Sequence, residues 1–287
     1  YWAMPHVSSM FRQRVVTGLV LVAAFLSTLL LAPFPIQAIL FGAVATAGAW
    51  EWSNLVIIRS VIGRLVFASL VPLTCGSLWI KLDLVGTGPI LAGQPLLAAS
   101  AFLWSAMLLA LKYYPSGGWL WGQPWVRGLM GWLIMTATWL SVVLCLRFDY
   151  GPSVLFLMIL TIATADIGAY FVGRRFGRHP LAQAISPGKT WEGFWGGLVC
   201  VALLTALVWA NLPISHIHLS LGSLLALGLA TAGASVVGDL TVSLLKRQVG
   251  LKDSGALLPG HGGLLDRLDS ICGAAPVFAL GLLLVGY

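Results

Sequence analysis

Nine apolar runs fill most of this 287-residue chain, far more apolar length than one soluble core could hide, so lipid must be the solvent for much of it. With a window of about 19 residues, the runs fall at 15–31, 36–50, 61–80, 90–111, 128–146, 152–172, 193–212, 217–238 and 271–286, the second and last being short. Backbone in hydrocarbon must satisfy its own hydrogen bonds, and runs of this length do so as helices. The expected fold is therefore an all-α polytopic membrane protein of about nine transmembrane helices. Composition agrees: 9% of residues are charged, where a soluble domain carries about 25%. Collagen-like, disordered and disulfide-rich secreted chains are excluded by the same numbers. Tyr1 to Ala3 read as lying outside the fold. The run Val15 to Leu31 lacks a small-residue cleavage site and reads as a retained first helix.

The charges orient the spans. With the N-terminus in the cytoplasm, 14 of the 16 Lys and Arg lie on the inner side: Arg12, Arg14, Arg59, Arg64, Lys112, Arg127, Arg174, Arg175, Arg178, Lys189, Lys246, Arg247, Lys252 and Arg267. Only Lys81 and Arg147 lie outside, each two residues from an acid, Asp83 and Asp149. Removing or adding one early helix would scramble this segregation. An odd number of spans then predicts an external C-terminus. The net charge of +7 is read as orientation together with affinity for acidic ligands, not as a nucleic-acid footprint. Trp119, Trp121 and Trp125 read as an interfacial belt, not a base-stacking platform. The four cysteines, Cys75, Cys145, Cys200 and Cys272, stand singly in apolar stretches, without ligand spacing, and read as structural reduced thiols.

Loops are short except for two inner segments, 173–192 and 239–270, where the polar residues gather. The chain divides accordingly into an N-terminal transmembrane region, 1–150, and a C-terminal region, 151–287, that carries the candidate chemistry.

The densest polar stretch is Ser243 to Asp269, SLLKRQVGLKDSGALLPGHGGLLDRLD. Just upstream, Asp239, Ser243, Lys246 and Arg247 are spaced to share one face if the helix continues past the membrane exit. The alternative for these residues alone is snorkelling of Lys and Arg, with Asp239 as a simple partner. Pro259, Gly260, His261, Gly262 and Gly263 make a permissive turn whose N–H groups can approach an anion. Asp266 and Asp269 follow at i, i+3, a spacing suited to holding a divalent cation against phosphate oxygens. Their alternative is complementing a helix dipole. His261 reads equally as a phosphate donor or as a loop residue without duty.

The second polar segment, SPGKTWEG, follows a basic GRRFGR. A Walker A loop needs glycine five positions before Gly188, where Gln183 stands, and a short strand before it, where a long apolar span stands, so the segment does not read as a P-loop. Ser186, Lys189 and Thr190 remain candidate phosphate ligands, and Glu192 reads as a local cap or partner. Asp166 lies inside the sixth span, where a carboxylate is expected to line a polar cavity or, alternatively, to hydrogen-bond two helices together. Glu51, at the inner end of the second span, reads as interfacial. These residues amount to a polyphosphate site at the cytoplasmic membrane level. Carboxylates are present for metal, cations for remaining charge and glycines for close approach, as phosphoryl or nucleotidyl transfer to a lipid acceptor needs.

The stretch from Ser243 to Asp269 resembles the signature of the phosphatidate cytidylyltransferases, with Ser243, Lys246, Arg247, Lys252, Asp253, Gly255, Pro259, His261, Gly262, Gly263, Asp266, Arg267 and Asp269 at the family spacing. The likeness extends through Asp239, SPGKTWEG and DIGAYFVGRRFG over about residues 160–287, and the basic start FRQRVVTG is similar as well. The resemblance implies a Mg²⁺-dependent reaction of CTP with phosphatidate to CDP-diacylglycerol and pyrophosphate. It implies a homodimer in the inner membrane of a bacterium, with the active site facing the cytoplasm. It also implies Asp239 and Asp266 as metal ligands. Lys246, Arg247, Lys252, Asp253, His261, Arg267 and Asp269 would be catalytic, and Ser186, Lys189, Thr190, Ser243, Gly262, Gly263 and Asp166 would meet substrate. The nearest rival is a CTP-dependent kinase of a polyprenol-type lipid. A transporter ranks lower, because the polar cluster is loop-borne and one-sided and no inverted repeat is evident.

Overall fold

The computed structural model describes residues 5–86, 88–115, 118–211, 219–258, 260 and 262–285, with side chains from Val15 onward. The helices are α1 (Pro5–Leu31), α2 (Phe34–Leu55), α3 (Val61–Lys81), α4 (Gln94–Tyr113, entered through a 3₁₀ turn at Ile90–Gly93), the short α5 (Gly118–Trp121), α6 (Pro124–Arg147), α7 (Gly151–Phe176), α8 (Trp191–Asn211), α9 (Leu221–Gln248) and α10 (Leu265–Leu284). Seven of them, α3, α4 and α6 to α10, are long and apolar enough to cross a membrane, and the apolar part of α1, Val15–Leu31, is shorter. The chain is thus a predominantly helical, multi-pass membrane protein, with a helix at each of the nine expected runs.

Local chemistry starts these helices where they start. Ser60 and Ser220 accept N–H bonds from Gly63 and Ser223 as caps of α3 and α9, and proline stands in the first turn of α2, α4, α6 and α7, where its missing N–H is no loss. At the α1–α2 corner, buried Gln37 donates to the carbonyls of Thr28 and Leu29, satisfying the end of α1. Helix α6 is the most enclosed of the seven spans and packs against α2, α3 and α10. The indoles of Trp52 and Trp139 tie it to α2, donating to the carbonyls of Arg127 and Ala38.

Two features depart from expectation. First, the inner segments are partly helical: α9 runs on to Gln248 and α10 begins at Leu265, so the loop of 239–270 shrinks to 249–264. A hydropathy window ends where charges begin, but these charges pair across helices and the backbone stays helical beneath them. Second, segment 173–192 holds an antiparallel hairpin, β1 (Pro180–Ala182) and β2 (Ser186–Thr190), pairing Pro180 with Thr190 and Ala182 with Ser186.

Helices α9 and α10 meet closely because both are glycine at the contact. A Cβ on Gly238 would overlap the carbonyl of Asp269, and one on Gly273 would overlap that of Ala234. That approach carries Asp239 up to the acidic first turn of α10.

Candidate active site

Asp166 of α7, Asp239 and Lys246 of α9, and Asp266, Arg267 and Asp269 of α10 line one cavity of about 450 Å³, with Ile159 and Ile162 on its apolar side. The α9 face expected from spacing is real for Asp239 and Lys246, and Asp266 and Asp269 share their face as the i, i+3 spacing predicts. Asp269 and Lys246 are buried, at 7% and 8% exposure, whereas Asp166 and Arg267 are open to the cavity.

Two of the four carboxylates pair with a lysine. Lys246 Nζ lies 2.6 Å from Asp266 Oδ1, and Lys189 Nζ lies 2.5 Å from Asp239 Oδ2. Lys189 reaches Asp239 because the hairpin carries it there. The hairpin is in turn fixed at both ends: Arg247 donates to the Ile185 carbonyl, and Glu192 pairs with His179 at 2.6 Å while accepting the N–H groups of Arg178 and His179. Glu192 is therefore the local partner expected of it. Arg247 turns away from the cavity toward the hairpin. Ser243 donates to Asp239 Oδ1 at 3.2 Å, and the Thr190 hydroxyl accepts from Gly193 N–H at the start of α8.

The second oxygen of Asp266 is also engaged, accepting N–H bonds from Ser254 at 2.9 Å and Gly263 at 3.3 Å. The Gly263 amide expected to face an anion thus faces this carboxylate. Gly260 and Gly262 have φ of +76° and +81°, the left-handed backbone that glycine adopts freely. Leu258 N–H closes the turn on the Gly262 carbonyl at 3.0 Å. Asp253 lies next to Gly262, and both it and Lys252 are exposed and do not line the cavity. Pro259 and His261 lie outside the described residues, as does the side chain of Trp119.

Sequence reasoning missed Glu51. It is not interfacial but 1% exposed, and it accepts hydrogen bonds from Ser254, Leu257 and Leu265, while Asn54 donates to the Ser254 carbonyl at 2.7 Å. The available signal was a lone acid at the end of an apolar run; nothing local names partners some 200 residues away.

The donor chemistry suits a hard divalent cation, since four carboxylates, Asp166, Asp239, Asp266 and Asp269, face one cavity. Among the described residues, no three acidic, His or Cys groups stand close enough to enclose a metal by themselves. Oxygen ligands from a phosphate-bearing substrate would be needed to complete the shell. On the other side of α9, Gly233, Val237 and Leu240 line an apolar cavity of about 1150 Å³ together with α4 and the hairpin.

A cavity lined by acids and a lysine among apolar helices has the chemistry that a membrane enzyme transferring phosphate-bearing groups requires. The sequence from residue 12 to 285 matches the model of the Cytidylyltransferase family, and the chain belongs to that family. It is 40% identical over 278 residues to the phosphatidate cytidylyltransferase of Pseudomonas aeruginosa, covering 97% of this chain and 99% of that one. To the phosphatidate cytidylyltransferase of Haemophilus influenzae it is 34% identical over 284 residues, covering 94% and 98%. A shorter match, 46% over 131 residues, joins it to the phosphatidate cytidylyltransferase of Bacillus subtilis, covering 45% of this chain and 46% of that one.

Proposed function

We propose that this protein transfers CMP from CTP to phosphatidate, giving CDP-diacylglycerol and pyrophosphate. The observation that carries the reading is the juxtaposition of Asp239, Asp266 and Asp269 with Lys189 and Lys246 about one cavity, in a chain of this family. A phosphatidate phosphate oxygen bonds to the α-phosphorus of CTP as the bond from that phosphorus to the β-phosphate bridge oxygen breaks. The electron pair leaves with pyrophosphate. Phosphatidate is already anionic, so no residue need remove a proton from it. Lys189, Lys246 and Arg267 supply countercharge to the phosphates, where fixed cations count most in a partly dry site. Mg²⁺, held by Asp239 and Asp266, would neutralise phosphate oxygens when bound. The apolar cavity one residue around α9 from Asp239 supports a lipid acceptor.

The test is direct. Purified protein with phosphatidate, Mg²⁺ and α-³²P-labelled CTP is expected to yield labelled CDP-lipid and pyrophosphate; phosphorylated lipid with free CDP would make the protein a lipid kinase instead.

For the membrane arrangement, our reading is nine spans with the N-terminus and active site cytoplasmic, in the inner membrane of a bacterium, and a homodimer as the family resemblance implies. The segregation of 14 of 16 cations supports the orientation. A phosphatase fused after Tyr287 should be active on the outer face; activity of a cytoplasm-dependent reporter at the same position would reverse the topology.

A further inference from the structure

Glu51 sits in the N-terminal half of the chain, outside every motif of the transfer site, yet its carboxylate accepts hydrogen bonds from the 249–264 loop and from the start of α10. Its Oε1 accepts the Leu257 N–H at 3.2 Å; its Oε2 accepts the Leu265 N–H at 2.8 Å and the Ser254 hydroxyl at 3.1 Å. Leu265 opens α10, whose N-cap, Leu264, has no side-chain cap. Glu51 therefore does from α2 what a capping residue does locally, taking an orphan N–H and setting a carboxylate at the positive end of the helix. Asp266 is the next residue along.

Ser254 is gripped at three atoms. Its N–H donates to Asp266, its hydroxyl to Glu51, and its carbonyl accepts from Asn54. Gly255 and Gly263 leave the room this requires, since a Cβ on either would collide with the Glu51 carboxylate. Three neutral donors are a poor exchange for water around a buried carboxylate, so packing alone would favour an apolar residue here. What an apolar residue cannot do is hold the loop and the start of α10 by the same two oxygens.

We infer that Glu51 is a positioning residue for the transfer reaction: it latches residues 254–257 and the first turn of α10 together, so that Asp266 and Lys246 meet in the cavity. The inference rests on the reaction proposed above. Chemistry at the phosphorus tolerates little misplacement of the groups around it, so loosening the latch lowers turnover without touching a substrate-contacting atom.

Glu51→Gln tests this, because an amide accepts at only one end and cannot satisfy donors at both. The expected result is a fall in kcat of about 10- to 100-fold, the range seen when groups supporting a ligand shell are removed. The half-saturating Mg²⁺ concentration should rise, while the KM for phosphatidate stays within about twofold. Hydrogen exchange should accelerate at the amides of Leu257 and Leu265 and stay at the wild-type rate in α2 and α6. Asn54→Ala, which releases the other grip on Ser254, should move the same quantities less, and it decides the matter if Glu51→Gln does not insert. Wild-type kcat in a variant with faster loop exchange overturns the proposal. So does lost activity with faster exchange throughout α2 and α6, which would make Glu51 a general fold determinant. If the wild-type protein forms no CDP-lipid, the reaction assigned above fails first. The latch is then judged on exchange alone: unchanged rates at Leu257 and Leu265 in Glu51→Gln refute it.

Discussion

Asp239→Asn is expected to lower CDP-diacylglycerol formation by about 10³-fold or more while the protein still folds and inserts. Asp239 and Lys189 form their pair with side chains each 28% exposed, at the cavity wall. An ion pair so accessible contributes about 1 kcal/mol or less to stability. Its loss should therefore shift Tm by no more than a few degrees. In catalysis the same carboxylate is one of two expected to hold Mg²⁺, and an amide is a poor substitute for a hard, charged oxygen donor. Asp166, across the cavity on α7, provides the control. Asp166→Asn removes a carboxylate from the same cavity and should cost only about tenfold, the lower end for loss of a group that supports a ligand shell without joining it. Radiolabelled product and thermal unfolding measured on the same detergent-purified samples decide both points. Wild-type activity in Asp239→Asn would remove it from the metal site, and complete inactivity of Asp166→Asn would place Asp166 in direct contact with metal or substrate.

These carboxylates were legible in the chain for different reasons. Asp239 with Lys246, and Asp266 with Asp269, declare themselves by helical spacing, because residues seven or three apart on one helix share a face whatever the tertiary structure. Charge segregation likewise needs only a count along the chain. The pairing of Lys189 with Asp239 is different in kind. It spans 50 residues and depends on a hairpin with one three-residue strand, too short to produce an alternating pattern. Glu51 is the extreme case: a single acid near a helix end is indistinguishable from an interfacial residue until α2 is seen packed beside the loop at 254–257. The glycines show a subtler limit. Their permissiveness was readable, but not that Gly263 N–H would be spent on Asp266 or that Gly238 and Gly273 would let two helices touch. Hydropathy located the spans but stopped ten residues short on α9, since a scale that penalises charge cannot see that Lys246 and Asp266 neutralise one another.

That pair yields the other large effect. Lys246 and Asp266 have side chains only 11% exposed, and the Asp266 carboxylate also receives two backbone N–H groups. Removing either partner strands a charge, at a cost of about 3–5 kcal/mol for a buried pair. Lys246→Met and Asp266→Asn should each lower Tm markedly, unlike Asp239→Asn, and lose activity. In Lys246→Met/Asp266→Asn no charge is stranded, and the asparagine oxygen can still accept the Ser254 N–H. The double variant should therefore cost less than the two single variants summed, by a coupling of about 1–3 kcal/mol between contacting residues. Activity should not return, because the carboxylate for metal and the cation for phosphate are both gone. The cycle separates two roles that single substitutions confound. If the pair served only to hold α9 against α10, turnover would recover along with Tm, and a stable, active double variant would exclude both residues from the chemistry.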